Sequence, residues 1–166
     1  MNDPLILAVE TSSRSGGIAL ARGPTLLAAR QLSTGQEHAR DLLPAIDAAC
    51  REIGAEPAEI GQCYLSIGPG SFTGLRIAVT LARHLALAHG AKICAVPSLD
   101  VIAANSLGMS EPPHHVAVII DAKRDHVFAA SFELKGGEYS RVRGPDMISV
   151  QAMLDQSPRP LIVIGE

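Results

Sequence analysis

Apolar residues recur along this chain in two patterns, short unbroken runs of strand length and longer stretches at helical period. Leu5 to Val9 is an unbroken run that predicts a buried strand, ending at the polar, glycine-closed turn Glu10 to Gly17. Ile18 to Ala21 and Leu26 to Leu32 predict two more strands, separated by Gly23-Pro24. Connections this short make an antiparallel meander. Ala39, Leu42, Leu43, Ile46, Ala49 and Ile53 then recur at helical spacing, and Gly54 stops the run. Ser33-Thr34-Gly35-Gln36-Glu37 reads as the start of that helix, and Pro44 inside it predicts a kink or a late start.

Cys63 to Ile67 predicts a fourth strand, which feeds Gly68-Pro69-Gly70-Ser71-Phe72-Thr73-Gly74 and then a helix from Thr73 to His89. Glycines in this turn allow positive φ or close backbone approach, and Ser71 and Thr73 can cap the first helical turn. Ile93 to Val96 completes the order β-β-β-α-β-α-β, and Ser98 caps a connecting helix, Leu99 to Leu107. Gly108 to Pro113 is the strongest break, so the chain divides at 1–108 and 109–166. Beyond it the order begins again. Val116 to Ile120, Val127 to Phe132 and Tyr139 to Arg143 predict strands, Ser149 to Asp155 a short helix, and Leu161 to Ile164 a last strand. On this reading the second lobe is a shortened repeat, without its last helix and strand.

Composition narrows the function. Apolar residues are 47% but aromatics only 3%, so the core is aliphatic and offers no platform for stacking bases. The net charge of −3 leaves no broad basic face, so autonomous binding of RNA or DNA through phosphate neutralisation is not expected. Cys50, Cys63 and Cys94 are widely spaced, with no zinc-ligand pattern, and read as reduced thiols. The first residues lack a signal-peptide pattern, and no apolar run approaches the roughly 18 residues of a membrane span. The expectation is a soluble, cytoplasmic protein without membrane contact.

The glycine turn invites a phosphate, yet no Lys follows Gly74 and the glycine spacing misses the dinucleotide fingerprint by one position. A tight strand-to-helix joint is the better reading. His114, His115, Asp121, Asp125 and His126 have no spacing that fixes them on one face, so no metal is expected there. The helix after the turn is more telling. Its polar residues Arg76, Thr80, Arg83 and His84 form one narrow stripe, and nearly all else, from Leu75 to Leu87, is apolar. A helix lying on a sheet buries a face of about 100° or a little more. The surplus is covered either by the connecting helix or by a partner, and Val79→Arg or Ala82→Arg is expected to spare the fold and disrupt pairing.

The duplicated order resembles the actin-like ATPase fold, also called ribonuclease H-like, with two lobes of mixed sheet and flanking helices. Within it, Ile6-Leu7-Ala8-Val9-Glu10-Thr11-Ser12, Glu37-His38, Gly68-Pro69-Gly70-Ser71-Phe72-Thr73-Gly74-Leu75-Arg76-Ile77, Val96-Pro97-Ser98-Leu99 and Ile120-Asp121-Ala122-Lys123-Arg124 resemble the TsaB (YeaZ) family. That family serves the synthesis of threonylcarbamoyladenosine at position 37 of tRNA. The resemblance implies a non-catalytic subunit, without cofactor or metal, that pairs with and activates a TsaD-type transferase, a TsaE-type ATPase joining the assembly. The transferase holds its metal with H-x-x-x-H on its first helix; here Leu42 follows His38 at that spacing. Pairing is implied through the two helices, at His38, Leu42, Leu43, Ile46, Leu75, Arg76, Val79, Ala82, Arg83 and Ala86, with a homodimer on the same faces as a further state. The rival is a stand-alone phosphotransferase or carbamoyl transferase of the same fold, binding a nucleotide at the Glu10 to Gly17 hairpin.

Overall fold

The computed structural model describes residues 3–33 and 38–165, apart from the His38 side chain. The expected helix-start residues 34–37 lie outside that range. Internal contacts divide the chain into two units, Met1–Val96 and Pro97–Glu166.

The first unit begins with the meander β1 (Leu5–Glu10), β2 (Gly17–Arg22) and β3 (Thr25–Gln31). Helix α1 (His38–Glu52), β4 (Ile60–Ser66), α2 (Phe72–His89) and β5 (Lys92–Val96) follow. Sheet order is β3-β2-β1-β4-β5, with β1, β4 and β5 parallel to one another. Alternate residues Leu5, Leu7 and Val9 are buried in one cluster with Ile18, Leu20, Cys63 and Leu65 of neighbouring strands. Leu42, Ile46 and Ala49 of α1 and Ala78, Ala82 and Leu85 of α2 enter the same cluster. Period-2 and period-3.6 patterns thus meet on one face of the sheet. There α1 covers β2 and β3, and α2 covers β4 and β5.

Two details differ from the sequence reading. α1 runs unbroken through Pro44, which sits on the exposed side, where water can satisfy the carbonyl left without a donor. β4 starts at Ile60, buried at 1% exposure and paired with Leu5, three residues before the apolar run.

The second unit holds α3 (Ser98–Asn105), β6 (His115–Lys123), β7 (His126–Lys135), β8 (Glu138–Ser149), α4 (Val150–Gln156) and β9 (Ile162–Gly165). Its sheet order is β8-β7-β6-β9, with β6 and β9 parallel. Val116 and Val118 point to the face covered by Leu99 and Ala103 of α3. Ala117, between them, points to the face covered by Met153 of α4. α3 therefore belongs with this unit, and the division falls at Val96–Pro97, not at the expected 108. Pro97, not Ser98, occupies the N-cap of α3.

β8 is also longer than Tyr139 to Arg143. The Gly144-Pro145 pair, which reads as a stop, is passed in a bulge where register shifts opposite Ala129 and Ser131. β8 is an edge strand, so the proline removes no ladder donor that a neighbour needs.

A three-strand meander whose first strand takes the next strand in parallel occurs in both units. This is the actin-like, ribonuclease H-like topology. Among the described residues no helix is long and apolar enough to cross a membrane.

Candidate functional site

Two features at the α2 end of the first unit carry its chemistry, a crowded polar turn and an open apolar groove. The turn connects β4 to α2 and packs against the turn leaving β1. Ser71 caps α2, its Oγ accepting from the Gly74 N–H at 3.2 Å, while its own N–H donates to the Ser12 carbonyl at 2.6 Å. The Thr11 hydroxyl, buried at 1% exposure, donates to the Gly74 carbonyl at 2.8 Å. A Cβ on Gly74 would fall within the van der Waals shell of the Thr11 carbonyl, and one on Gly70 within that of the Ser12 carbonyl. Glycine is required at both because two backbones meet there.

The Glu10 carboxylate accepts from the Ser12 N–H at 2.5 Å and from the Ser66 hydroxyl. A nucleotide phosphate or its metal would draw on this carboxylate and this N–H, and both are engaged within the chain. Thr73 and Phe72 are exposed at the helix start, Phe72 at 74%. Among the described residues no group of three or more His, Cys, Asp or Glu side chains is placed to hold a metal. His114 and His115 stand at the start of β6, whereas Asp121, Asp125 and His126 gather at its far end. Burial pushes the Cys63 thiol up to about 11, and burial, then Asp47 and Glu59, raises that of Cys50. Neither thiol is a ready nucleophile at neutral pH.

The groove, of about 580 Å³, lies between α1 and α2. Gly74, Ala78, Ala82 and Leu85 are the residues α2 buries, and their spacing sets them on one stripe. Ile77 and Leu81, one position before Ala78 and Ala82, are turned toward α1 and form an apolar wall. Ala39, Leu42 and Leu43 form the wall opposite. Leu43, 63% exposed, stands at the opening, and Leu42, 2% exposed, closes the bottom. Thr73, Arg76, Thr80 and His84 follow the outer edge of α2. The Arg76 guanidinium lies 5.3 Å from the centroid of the Phe72 ring. His84 Nδ1 is 2.8 Å from the Thr80 carbonyl, which only accepts, so that nitrogen carries the proton.

Of the expected pairing residues, the groove brings together Leu42, Leu43 and Arg76. Ile46 and Ala82, at 4% and 1% exposure, belong to the core beneath. The expectation that Ala82→Arg spares the fold is therefore corrected; the core has no room for an arginine there. Leu75, Val79 and Ala86 lie on the flank of α2 turned away from the groove, about 150° around the helix axis from its wall. Arg83 is exposed beyond the groove edge, and the His38 side chain lies outside the described residues. Sequence reading missed Ala39, Ile77, Thr80, Leu81 and His84 as a wall. The signal for two of these was present, since Thr80 and His84 belong to the polar stripe.

Comparisons with known proteins agree on the family. The family model for TsaD, tRNA N6-adenosine threonylcarbamoyltransferase, matches residues 31–163. The chain is similar to the tRNA threonylcarbamoyladenosine biosynthesis protein TsaB of Bacillus subtilis, at 34% identity over 167 residues, 96% of this chain and 70% of that protein. It is 29% identical over 128 residues to the Escherichia coli protein of the same name, covering 77% of this chain and 54% of that one. Among solved structures, YeaZ from Pseudomonas aeruginosa superposes with a TM-score of 0.82 at 22% identity, covering 98% of this chain and 84% of the other, which shows the shared fold. The chain belongs to the TsaB (YeaZ) family of tRNA threonylcarbamoyladenosine biosynthesis proteins.

Proposed function

We propose that this chain is a partner subunit in the synthesis of threonylcarbamoyladenosine at position 37 of tRNA, pairing with and activating a TsaD-type transferase in the cytoplasm. Catalysis rests with the partner, and a TsaE-type ATPase joins the assembly. The chain itself uses no metal or cofactor and meets tRNA only through the complex.

The single observation that supports this reading is the α1–α2 groove, a concave apolar surface with Leu43 standing open at its mouth. Exposed apolar surface of this kind is the usual mark of a protein contact. The turn before α2 acts as the joint that fixes the helix. Its hydrogen bonds to Thr11 and Ser12 tie the start of α2 to β1, so one groove wall cannot drift relative to the sheet. The rival reading, a nucleotide enzyme working at the β1–β2 turn, has against it that Glu10 and the Ser12 N–H are already engaged.

Reconstitution tests this directly. Threonylcarbamoyladenosine formation on tRNA by the TsaD-type paralogue is expected to depend on adding this chain, and the Leu43→Asp variant is expected not to support it while its circular dichroism stays unchanged. Transfer activity or Mg-ATP hydrolysis by the isolated chain would overturn the subunit reading.

A further inference from the structure

Two hairpins of the second unit make the same turn from different residues. Two residues link the strands in each, between Lys123 and His126 in the β6–β7 hairpin and between Lys135 and Glu138 in the β7–β8 hairpin. Both linking residues must take positive φ, a backbone that suits glycine or asparagine. The β7–β8 hairpin meets that need with Gly136 and Gly137, at φ 61° and 87°. The β6–β7 hairpin instead places Arg124 and Asp125 there, at φ 54° and 60°, after Lys123 at 67°. These three are the only non-glycine residues with positive φ among the described residues. Three in succession work against folding.

The fold braces this turn without using its tip. Asp121 Oδ1 accepts from the Lys123 N–H at 2.8 Å, and His126 Nδ1 donates to the Arg124 carbonyl at 2.8 Å. Both braces act on the backbone. The side chains of Lys123, Arg124 and Asp125 are exposed, and among the described residues none of them makes a hydrogen bond or ion pair. Arg14, Arg40 and Arg159 also have no carboxylate partner, so a free arginine alone signifies little. What sets Arg124 apart is a left-handed backbone that a side chain burdens, in a chain that uses glycine for the same turn nearby. Residues kept where glycine folds more easily are held there for their side chains.

We infer that the β6–β7 hairpin is a recognition element whose Lys123 and Arg124 meet carboxylates, and whose Asp125 meets a base, on a protein other than the transferase. The inference rests on the proposed assembly and deepens it. The transferase takes the groove of the first unit, so this second contact falls to the ATPase. Charge selects the class of partner. Asp121 and Asp125 balance Lys123 and Arg124, so the tip has no net charge to offer a phosphate backbone. A protein surface carrying both signs matches it. Exposed ion pairs are individually weak, so the hairpin orients a partner that the assembly already holds close by.

The test uses the full chain with Arg124→Asn and Asp125→Gly together, a pair that suits the turn. The melting temperature is expected to rise by about 3 °C as the backbone cost is relieved. The dissociation constant for the TsaD-type transferase is expected to stay within twofold. Binding of the TsaE-type ATPase to the preformed pair is expected to weaken about tenfold at low salt, with a flatter salt dependence. A lower melting temperature would overturn the inference, because Arg124 and Asp125 would then serve the fold. ATPase affinity unchanged within twofold would also overturn it and leave the groove reading standing. An equal loss of transferase affinity would overturn it by assigning the hairpin to transferase docking. Loss of tRNA binding by the complex would assign the hairpin to nucleic acid, and a dimer of the isolated chain abolished by the variant would assign it to a second copy; either would overturn the inference. If the unaltered chain does not pair with the transferase, both this inference and the subunit reading fall.

Discussion

The β4–α2 turn and the α1–α2 groove lie side by side, and they are opposites. The turn has three glycines, hydroxyls and a neighbouring carboxylate, the usual materials of a phosphate site, yet several of the polar groups that such a site would use are bonded inside the chain. Thr11, Ser12, Glu10, Ser66 and Ser71 bond to one another and to the backbone. The groove has almost no polar material on its floor, yet its surface is unspent. Function follows what folding leaves unsatisfied. A glycine-rich turn is read correctly only once its donors and acceptors have been followed to their partners.

Changes to the turn should therefore cost stability, and changes to the groove should cost binding. The largest effect is expected from Gly74→Ala. A methyl group there collides with the Thr11 backbone, which has no way to yield without moving β1 or α2. A loss of at least about 3 kcal/mol by urea denaturation is expected, enough to prevent folding of a marginal domain. A stable Gly74→Ala protein would mean that the two turns are not locked together.

Leu43→Asp is the counterpart in the groove. Because Leu43 is 63% exposed, stability should change by no more than about 0.5 kcal/mol. Affinity for the transferase should fall at least about thirtyfold, as for an interface hot spot. Equal losses of stability and affinity would erase the distinction between the two regions.

How much of this was legible in the sequence differs between the same two regions. The order of strands and helices was readable because most strands are built around a short apolar run and α1 and α2 carry a helical period. The long β8 was not, since Gly144-Pro145 reads as a stop, and only the neighbouring strand makes it a bulge. At the turn, the Ser71 cap of α2 was readable from the residues before the helix, but the close approach of Gly70 and Gly74 to the β1 turn was not. The surplus of apolar surface on α2 was readable too, but its direction was not. Which flank lies open depends on where α1 comes to rest, a tertiary fact absent from the local pattern. Thr80 and His84 read only as part of a polar stripe and turn out to edge the groove beside Arg76, while Ala82 reads as available and is core.

Smaller effects sharpen the contrast. Thr11→Val keeps the shape but removes the donor to the Gly74 carbonyl, and about 1 kcal/mol of stability should go with it, lowering the melting temperature by several degrees. Transferase affinity should stay within twofold, since the groove is untouched. Cys63 gives the smallest effect at neutral pH. Its thiol is raised from 9.0 to about 11 by burial, so the folded chain holds that proton more tightly than the unfolded one. Its contribution to stability is complete below pH 9 and is lost as pH rises from 9 toward 11. Cys63→Ala should flatten the alkaline limb of a stability–pH curve, and at pH 8 iodoacetamide should leave Cys63 unmodified in the folded chain.

The most direct measurement is hydrogen–deuterium exchange on this chain, alone and saturated with the TsaD-type transferase. The account predicts new protection concentrated in α1 and α2, around Leu43, Arg76 and Thr80, with the second unit unchanged. Protection confined to the β1–β2 turn or to the second unit, with α1 and α2 exchanging as in the free chain, would contradict it.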